Sequence, residues 1–314
     1  MSRLHTPSLS LYWVFAMALN LKTRKILVPY LFLLPGILFF LIFQVYPLLK
    51  GFQMSFYKWS IMPGKNSQFI GLANYLRAFD DPVVGRAFIN TLIYTFVTVP
   101  GQMILAMLAA LLLHSLPRGR AFFRTLYYLP VITSWVIVSL LIRYLFQSPN
   151  GLINYFLVEV FHVVSKPIMW YEQASTAFIP ILVLGIWKGI GWSMVIYLAA
   201  LQGIPHELME VASIDGANGW QRFWKITLPL LGPTVVFTLV MLLIGGFNVF
   251  ISVYLITGGG PRQQTEVLLS YTYRQAFDFL DFGYGAALSM LMAVFLITAS
   301  YLQMRFLRKP VEVY

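Results

Sequence analysis

Lys188 carries the most consequential chemistry in this sequence, because it lies near the middle of a long apolar stretch. It is the only charged residue between Glu172 and Glu207. An ammonium group at that depth is costly, and it normally faces a water-filled cavity or an ionic partner. One hypothesis is that Lys188 attracts an anionic ligand. The alternatives are a salt bridge to a partner protein, or a side chain that snorkels to the membrane interface.

Other residue types that could perform chemistry are scarce. No Asp or Glu falls inside the long apolar stretches, which argues against the carboxylate relays of ion-coupled transporters. The sequence contains no G-x-x-x-x-G-K-[ST] phosphate-binding loop, no H-E-x-x-H and no G-x-S-x-G. Its four histidines are scattered and cysteine is absent, so no metal site is predicted. Uphill transport would therefore take its energy from another subunit.

The loop of residues 204–233 is the second informative segment, because it resembles two short helices rather than a polar link. Pro205 at the first helical position and Glu207 near the positive end of the dipole favour the start of the first helix. Gly216 suits the left-handed residue that ends it. The run Asn218–Gln221 resembles a capping box for the second helix. The hairpin either packs on the membrane surface or protrudes and docks into another protein.

Apolar helices must position these residues, since 59% of the 314 residues are hydrophobic and only 11% are charged. A soluble domain carries about 25% charged residues, so an ordinary cytosolic enzyme, a disordered chain and a disulfide-built secreted domain are excluded. The net charge of +11 includes no long basic run, so no nucleic-acid partner is predicted. Six stretches reach the length of about 20 apolar residues that a membrane-crossing helix needs. They are Ile26–Leu49, the uncharged residues between Arg86 and Arg118, Thr125–Gln147, and the stretches between Glu172 and Glu207, Lys225 and Arg262, and Asp281 and Arg305.

The distribution of basic residues favours an orientation with both termini in the cytoplasm. The short loop Pro117–Arg124 decides this, because it carries three basic residues and no acid. Ser8–Leu19 is apolar but too short to span, so we expect an interfacial helix on the cytoplasmic leaflet, with a disordered tail as the alternative. Leu152–Val164 is predicted as an amphipathic helix on the outer surface. The expected organisation is an N-terminal segment (1–25), a transmembrane domain (26–305) and a cytoplasmic tail (306–314).

The loop of residues 204–233 also carries a spaced pattern of particular residues. E-x-A-x-x-x-G, followed after nine residues by I-x-L-P, is formed by Glu210, Ala212, Gly216 and Ile226–Pro229. It resembles the EAA loop of binding-protein-dependent ABC importer permeases, although Val211 stands where the family usually has the first of two alanines. The surrounding residues are similar to the sugar-importer branch, typified by maltose and glycerol-phosphate permeases. The resemblance extends over about residues 29–303 through GLANY (71–75), GRAFFRTLYYLP (119–130), TGGGP (257–261) and GYGAA (283–287).

This resemblance implies an all-α membrane protein with six transmembrane helices, the type I ABC importer permease fold and a cytoplasmic EAA coupling helix. It implies a transporter subunit rather than an enzyme, forming half of the translocation pathway for sugars or oligosaccharides. With this resemblance, the anionic ligand considered for Lys188 would be a uronate oligosaccharide or a sugar phosphate. The implied partners are a second homologous permease of a different chain, an ATPase subunit dimer, and a periplasmic or lipid-anchored solute-binding protein. The chain would lie in the bacterial inner membrane. It would bind no cofactor itself, and the ATPase would use ATP and Mg.

The resemblance also suggests roles for particular residues. In the family the EAA helix sits in a cleft of the ATPase and moves with it, so the expected coupling residues are Glu210, Ala212, Ser213, Asp215 and Gly216. Because the helices flanking this loop line the family's cavity, the expected pathway residues are Lys188, Gly189, Trp192, Gly246 and Asn248. Ordinary helix packing is the alternative for each glycine and for Trp192. The outer TGGGP turn is expected to contact the binding protein through Gly259, Gly260 and Pro261.

Two other functions stay open at this point. An ion-driven secondary sugar transporter would depend on ion gradients rather than on ATP. A membrane-embedded enzyme, such as a glycosyl-lipid transferase, would need a catalytic carboxylate or histidine cluster. Asp278 and Asp281 are the only close acidic pair on the outer side after the first loop, and a solvated loop explains them. Arg143 lies near the outer end of its span, where snorkelling is expected.

Overall fold

The computed structural model of the protein describes residues 21–60 and 66–307, with side chains for 28–60 and 66–305 apart from position 174. The chain divides into two compact units, Met1–Met54 and Ser55–Tyr314. The helix expected over Ser8–Leu19 lies outside the described residues, as does most of the expected tail (306–314). The expected domain limits therefore stay predictions.

The described part of the first unit is one long helix with a local irregularity. α1 (Leu21–Phe40) passes through a π-helical turn at Leu41–Val45 into α2 (Tyr46–Met54). The stretch Val28–Met54 is long and apolar enough to cross a membrane, and none of its side chains is buried within the protein. The first predicted span is thus helical and continues beyond its expected end at Leu49.

The second unit starts with a short hairpin, in which β1 (Tyr57–Lys58) pairs antiparallel with β2 (Gln68–Phe69). Its long helices are α4 (Pro82–Ser115), α8 (Ala174–Gln202), α12 (Gly232–Phe247) and α15 (Phe282–Leu307). The shorter helices are α3 (Ala73–Asp80), α5 (Arg120–Ile132), α6 (Trp135–Leu145), α7 (Leu152–Tyr155), α9 (His206–Ile214), α10 (Gly219–Arg222), α11 (Leu228–Leu230), α13 (Ile251–Ile256) and α14 (Leu268–Tyr273). π-helical turns extend α7, α10 and α14, over Phe156–Val160, Phe223–Thr227 and Arg274–Asp278.

The third span departs from the sequence prediction. Among the described residues, five helices are long and apolar enough to cross a membrane, and a sixth crossing results if α5 and α6 count as one span. The prediction of a single helix over Thr125–Gln147 is wrong, because two helices, α5 and α6, cover this stretch and meet at 93°. Thr133 is extended, with ψ 148°, and Ser134 caps α6 by accepting a hydrogen bond from the Val136 N–H. An extended residue ends one helix and a capping serine starts the next, although the apolar pattern is continuous.

The packing of the second unit centres on α4, which lies along α8 and also contacts α12. One core cluster between α4 and α8 contains Ala106, Ala110, Met194, Tyr197 and Leu201. Three buried threonines of α4, at positions 91, 95 and 98, each donate a hydroxyl hydrogen bond to the carbonyl four residues earlier. Their polar groups are thereby satisfied within α4. The closely packed helices α4 and α8 together form one side of the cavity that holds the candidate site.

The segment after α6 is less regular than the sequence predicts. The amphipathic helix expected over Leu152–Val164 ends at Val160, and only its first four residues are α-helical. Asn154 is buried, and its amide donates to the carbonyls of Pro149 and Ile168. Its oxygen accepts from the Trp170 indole at 3.1 Å. One buried asparagine thus anchors this segment to the chain that enters α8.

Candidate functional site

A cavity of about 490 Å³ lies in the second unit, between α4, α8, α12 and the bend between α5 and α6. All five expected pathway residues line it: Lys188, Gly189, Trp192, Gly246 and Asn248. The structure thus brings together residues that the sequence places on two separate helices. Their contact with a substrate stays a prediction.

Sequence reasoning missed the lining that comes from α4 and from the bent third span. These residues include Tyr94, Gln102, Val131 and Trp135. They are aromatic, amide or aliphatic side chains in helices that are apolar on all sides. In such a helix the spacing of apolar residues does not indicate which face lines a cavity. The bend itself, which turns Val131 and Trp135 toward the cavity, carried only the weak signal of Pro130 and Ser134.

The fifth span is interrupted at the cavity. Between α12 and α13 the chain leaves the helix, and Phe250 has φ −144° and ψ −63°. The Asn248 side-chain amide donates to the Ile244 carbonyl at 2.7 Å, and this carbonyl also accepts the Asn248 backbone N–H at 3.2 Å. Asn248 and Phe250 line the cavity from this interruption, and Ser252 lines it from the first turn of α13.

Lys188 is 3% exposed, and its ammonium group contacts backbone carbonyls at the bend of the third span. Nζ donates to the carbonyls of Pro130 at 2.6 Å and Thr133 at 2.7 Å, with Val131 at 3.4 Å. It also lies 5.0 Å from the centre of the Trp135 ring, within the range of a cation–π contact. The side chain therefore does not snorkel to an interface. Its charge is applied to the protein's own carbonyls.

Most glycines at the cavity wall allow close packing. A Cβ at Gly189 would lie 2.1 Å from Gln102 Oε1, and one at Gly246 would lie 2.8 Å from Thr95 Oγ1. A Cβ at Gly185 would lie 2.5 Å from the Tyr94 hydroxyl oxygen. Packing against α4 thus accounts for these three positions. Gly245 differs, because no atom lies within 4 Å of its Cβ position.

The cavity lining combines aromatic rings with uncharged polar groups. The rings belong to Tyr94, Trp135, Trp192 and Phe250, and the polar groups to Thr98, Gln102, Asn248 and Ser252. Lys188 is the only charged side chain among the lining residues, and no carboxylate lines the cavity. Aromatic faces with a few amide and hydroxyl groups suit a ligand with flat apolar faces and many hydroxyls.

The loop after α8 folds as two short helices joined by a tight turn. α9 ends in a Schellman arrangement, in which the N–H of Ala217 bonds to the carbonyl of Ala212 at 2.9 Å. Gly216 has φ +76°, as predicted for this position. The capping box at Asn218 and Gln221 is present. One detail is wrong: Pro205 precedes α9 as its capping residue and is not its first helical residue.

The expected coupling residues lie together around the end of α9. Glu210, Ser213, Asp215 and Gly216 are exposed, whereas Ala212 is buried. Ser213 accepts a hydrogen bond from Arg222 at 2.8 Å, which ties the two helices of the loop to each other. Several large apolar side chains are exposed on the same loop, namely Leu208, Val211, Ile214, Trp220 and Trp224. An exposed apolar surface rimmed by polar groups is typical of an interaction surface, either for another protein or for a membrane, so docking of this loop stays a prediction.

The TGGGP turn encloses a buried carboxylate that sequence reasoning missed. Gly259 has φ +79°, and a Cβ there would lie 2.1 Å from Glu266 Oε1. Glu266 is inaccessible to solvent and pairs with Arg274 at 2.9 Å. Burial raises the pKa of its carboxyl group, and the Ser270 hydroxyl and Arg274 oppose this. Gly259 therefore packs inward, while Gly260 and Pro261 are partly exposed. A contact of this turn with a binding protein stays a prediction.

Comparisons with known proteins identify the family. Residues 83–311 match the family described as "Binding-protein-dependent transport system inner membrane component". The chain belongs to this family. It is 34% identical over 280 residues to the arabinooligosaccharides transport system permease protein AraP of Bacillus subtilis (strain 168), covering 88% of this chain and 87% of that protein. It is 33% identical over 292 residues to the sn-glycerol-3-phosphate transport system permease protein UgpA of Agrobacterium fabrum (strain C58 / ATCC 33970), covering 92% and 97%.

A solved structure agrees with this assignment. A chain in the crystal structure of a bacterial alginate ABC transporter, in complex with an alginate pentasaccharide-bound periplasmic protein, superposes with a TM-score of 0.79 at 26% identity. The match covers 91% of this chain and 96% of that chain. The protein is therefore a permease subunit of an ABC sugar importer with the type I importer fold. It is a multi-pass membrane protein and a transporter subunit rather than an enzyme, as the sequence predicts.

The permease also contains a polar cluster beside the first residue of α4 that sequence reasoning missed. Asp81 Oδ2 accepts hydrogen bonds from the hydroxyls of Tyr271 at 2.7 Å and Tyr284 at 2.8 Å. The Val83 N–H donates to its other oxygen at 2.8 Å. Burial opposes ionisation of Asp81, but these hydrogen bonds outweigh it and hold the pKa of Asp81 below its ordinary value. The cluster joins the start of α4 to α14 and α15.

The acidic residues Asp278 and Asp281 each lie beside an arginine in the permease. Asp281 forms an ion pair with Arg77 at 2.6 Å, and Arg274 lies 3.9 Å from Asp278. Arg143, expected to snorkel, donates to the Leu255 carbonyl at 3.2 Å. In the part of the chain that the structure describes, no group of three or more His, Cys, Asp or Glu side chains is arranged to hold a metal ion.

Proposed function

We propose that this permease pairs with a second homologous permease, and that the two form the pathway of an ATP-driven saccharide importer. A periplasmic or lipid-anchored solute-binding protein delivers the substrate, and a dimer of ATPase subunits hydrolyses ATP with Mg. The chain binds no cofactor itself. It lies in the bacterial inner membrane with both termini in the cytoplasm, and its EAA loop transmits the motion of the ATPase.

The observation that carries this proposal is the continuity of α8. This helix contributes Lys188, Gly189 and Trp192 to the cavity wall. It ends at Gln202, and only Gly203–Pro205 separate it from α9. Because one helix joins the cavity to the exposed loop, a displacement of the loop by a partner moves the cavity wall as well. The exposed positions Glu210, Ser213, Asp215 and Gly216 are the expected points of coupling.

The lining of the cavity favours a saccharide as the substrate, bound through the faces of the sugar rings and through the sugar hydroxyl groups. Its volume of about 490 Å³ falls within the range of about 300–1,000 Å³ typical of ligand sites. Trp192 and Phe250 offer ring faces, and Gln102 and Asn248 offer amide groups. The names of the relatives given above mention arabinooligosaccharides, sn-glycerol 3-phosphate and alginate. Neutral and acidic substrates therefore both have precedents among proteins similar to this one. Lys188 does not favour the acidic class, because carbonyls already occupy its ammonium group.

Co-purification is the first test. The chain is tagged in its native host and extracted with mild detergent, and its companions are identified by mass spectrometry. We expect a second permease and an ATPase with a P-loop. A homo-oligomer without an ATPase would contradict the proposal and would favour ion-driven transport.

The complex is then reconstituted into proteoliposomes with its co-purifying binding protein. Uptake of a radiolabelled arabino-oligosaccharide and of an alginate oligosaccharide is measured with ATP inside the vesicles, and separately with an ion gradient alone. We expect uptake with ATP only. Uptake driven by the gradient would contradict the proposed energy source, and the ratio of the two substrates would assign the cargo class.

A further inference from the structure

We infer that Lys188 is a positioning residue that holds the bend of the third span, and that its ammonium group serves the protein's own backbone rather than the cargo. The inference concerns the junction between α5 and α6, where the chain turns by 93°. It explains why a charged residue lies in the middle of an apolar helix without a carboxylate partner among its described contacts.

The bend creates a need for hydrogen-bond donors. At the end of a helix the last four carbonyls have no intrahelical N–H partner. Pro130 and Val131 are among the last four residues of α5, and Thr133 lies in the extended link that follows. Away from water such carbonyls must find donors within the protein. The Thr133 hydroxyl supplies one donor to Pro130, at 2.6 Å.

Lys188 supplies further donors at the bend, to the carbonyls of Pro130, Val131 and Thr133. An ammonium group has three N–H donors and no acceptor, and Nζ contacts three carbonyls, two of them at 2.6 and 2.7 Å. The negative end of a helix dipole also favours a cation at this place. The Trp135 ring covers the ammonium group from the α6 side. Lys188 thus contacts the end of α5, the link and the start of α6.

A second contact on the same face of α8 supports this role. Gly191 follows Lys188 by three residues, so both lie on one side of the helix. A Cβ at Gly191 would lie 2.1 Å from the Tyr127 carbonyl oxygen. The backbones of α5 and α8 are therefore in direct contact about one helical turn away from the Lys188 hydrogen bonds, at Tyr127 of α5 and Gly191 of α8. Together these contacts join the bend to α8, so that motion of α8 carries the bend with it.

The absence of cysteine from the sequence allows a direct test by spin labelling. Cysteines are introduced at Phe122 on α5 and Ile137 on α6, whose side chains are 68% and 67% exposed. The distance between the two labels is measured by pulsed electron paramagnetic resonance in the full-length chain in nanodiscs. With Lys188 present we expect one narrow distance distribution. Lys188→Met should broaden or shift it, because the carbonyls lose their donors.

The matched control is Val183→Met, an exposed position on the same helix that should leave the distribution unchanged. If Lys188→Met is not recovered as a folded protein, Lys188→Gln replaces it, and we expect a smaller broadening because the amide keeps two donors. A distribution that is the same with Lys, Met or Gln at position 188 would overturn the inference.

A transport measurement separates the positioning role from anion recognition, and this second arm rests on the proposed function. In the proteoliposome system, Lys188→Met should lower the maximal rate about tenfold or more. The reduction should be equal for the arabino-oligosaccharide and the alginate oligosaccharide, with KM changed by less than about twofold for each. A loss confined to the acidic substrate would overturn the inference. If neither saccharide is transported by the unmodified complex, the proposed function fails, while the spin-label result still decides the role of Lys188.

Discussion

The side-chain amide of Gln102 on α4 lies directly against the backbone of Gly189 on α8. Its Nε2 donates to the Gly189 carbonyl at 2.9 Å and contacts the Ser193 hydroxyl at 3.0 Å. A Cβ at position 189 would come within 2.1 Å of Gln102 Oε1. The two helices approach this closely because position 189 has no side chain.

We expect Gly189→Ala to destabilise the permease. The added methyl group must displace a buried, hydrogen-bonded amide, and overpacking of this kind costs about 1–3 kcal/mol of unfolding free energy. Gly245→Ala is the matched control, because it adds the same methyl group to the same cavity wall with no atom within 4 Å. Thermal unfolding of the purified proteins in detergent, followed by size-exclusion chromatography, compares them. Equal melting temperatures for the two variants would contradict the packing role.

A second prediction concerns the TGGGP turn (257–261). Gly259→Ala should destabilise the permease more than Gly258→Ala, although both positions have positive φ. The left-handed conformation alone costs a non-glycine residue about 1–2 kcal/mol. At Gly259 the methyl group also collides with the buried Glu266 carboxylate, whereas at Gly258 the nearest atom lies 3.8 Å away. Limited proteolysis and thermal unfolding measure the difference, and equal losses would argue against a close contact with Glu266.

A third prediction concerns pH and Asp81. The pKa of Asp81 is lowered in the folded protein, so its ionised form stabilises the fold above the ordinary pKa of Asp, and this contribution is lost as the pH falls through the lowered value. Asp81→Asn should cost about 1–3 kcal/mol at neutral pH, since charge-assisted hydrogen bonds from two tyrosines are weakened. Thermal unfolding from about pH 7 to about pH 3.5 should show a smaller loss on acidification for Asp81→Asn than for the unmodified protein.

The control for Asp81 is Asp278→Asn. Asp278 is about half exposed, and its contact with Arg274 is 3.9 Å long. An exposed pair of this kind contributes about 0–1 kcal/mol, so we expect little change in stability at any pH. If Asp278→Asn matched Asp81→Asn, the hydroxyl hydrogen bonds to Asp81 would not be the cause.

A fourth prediction concerns the coupling loop. Ile214 is 85% exposed at the end of α9, so Ile214→Asp should leave the melting temperature of the isolated chain unchanged. In the proposed transporter it should reduce ATP-driven uptake about tenfold or more, because a charge would replace an apolar side chain at the proposed contact with the ATPase. Recovery of the ATPase with the tagged permease should fall in parallel. His206→Ala, on the exposed first turn of the same helix, is the control and should retain the ATPase.

The loop and the cavity differ in how far the sequence anticipates them. The turn at Gly216 and the capping box at Asn218–Gln221 were predictable, because helix ends depend on a few adjacent residues. The same local logic failed at Thr133 and Ser134, where a capping serine interrupts a stretch whose hydrophobicity alone indicates one span. Lys188 was recognisable as costly, but its partners are carbonyls, which every residue carries.

The sequence by itself determined the family, the apolar segments that are long enough to cross a membrane, and the two-helix form of the EAA loop, because apolar length, helix-end residues and the loop pattern are properties of contiguous segments. Only the tertiary structure decided which helix faces meet. The bend that brings Trp135 to the cavity, the carbonyls that bind Lys188, and the contact of Gln102 with Gly189 all join residues distant in sequence. Such contacts depend on how helices of similar hydrophobicity pack, and the periodicity of a single helix does not encode its neighbour.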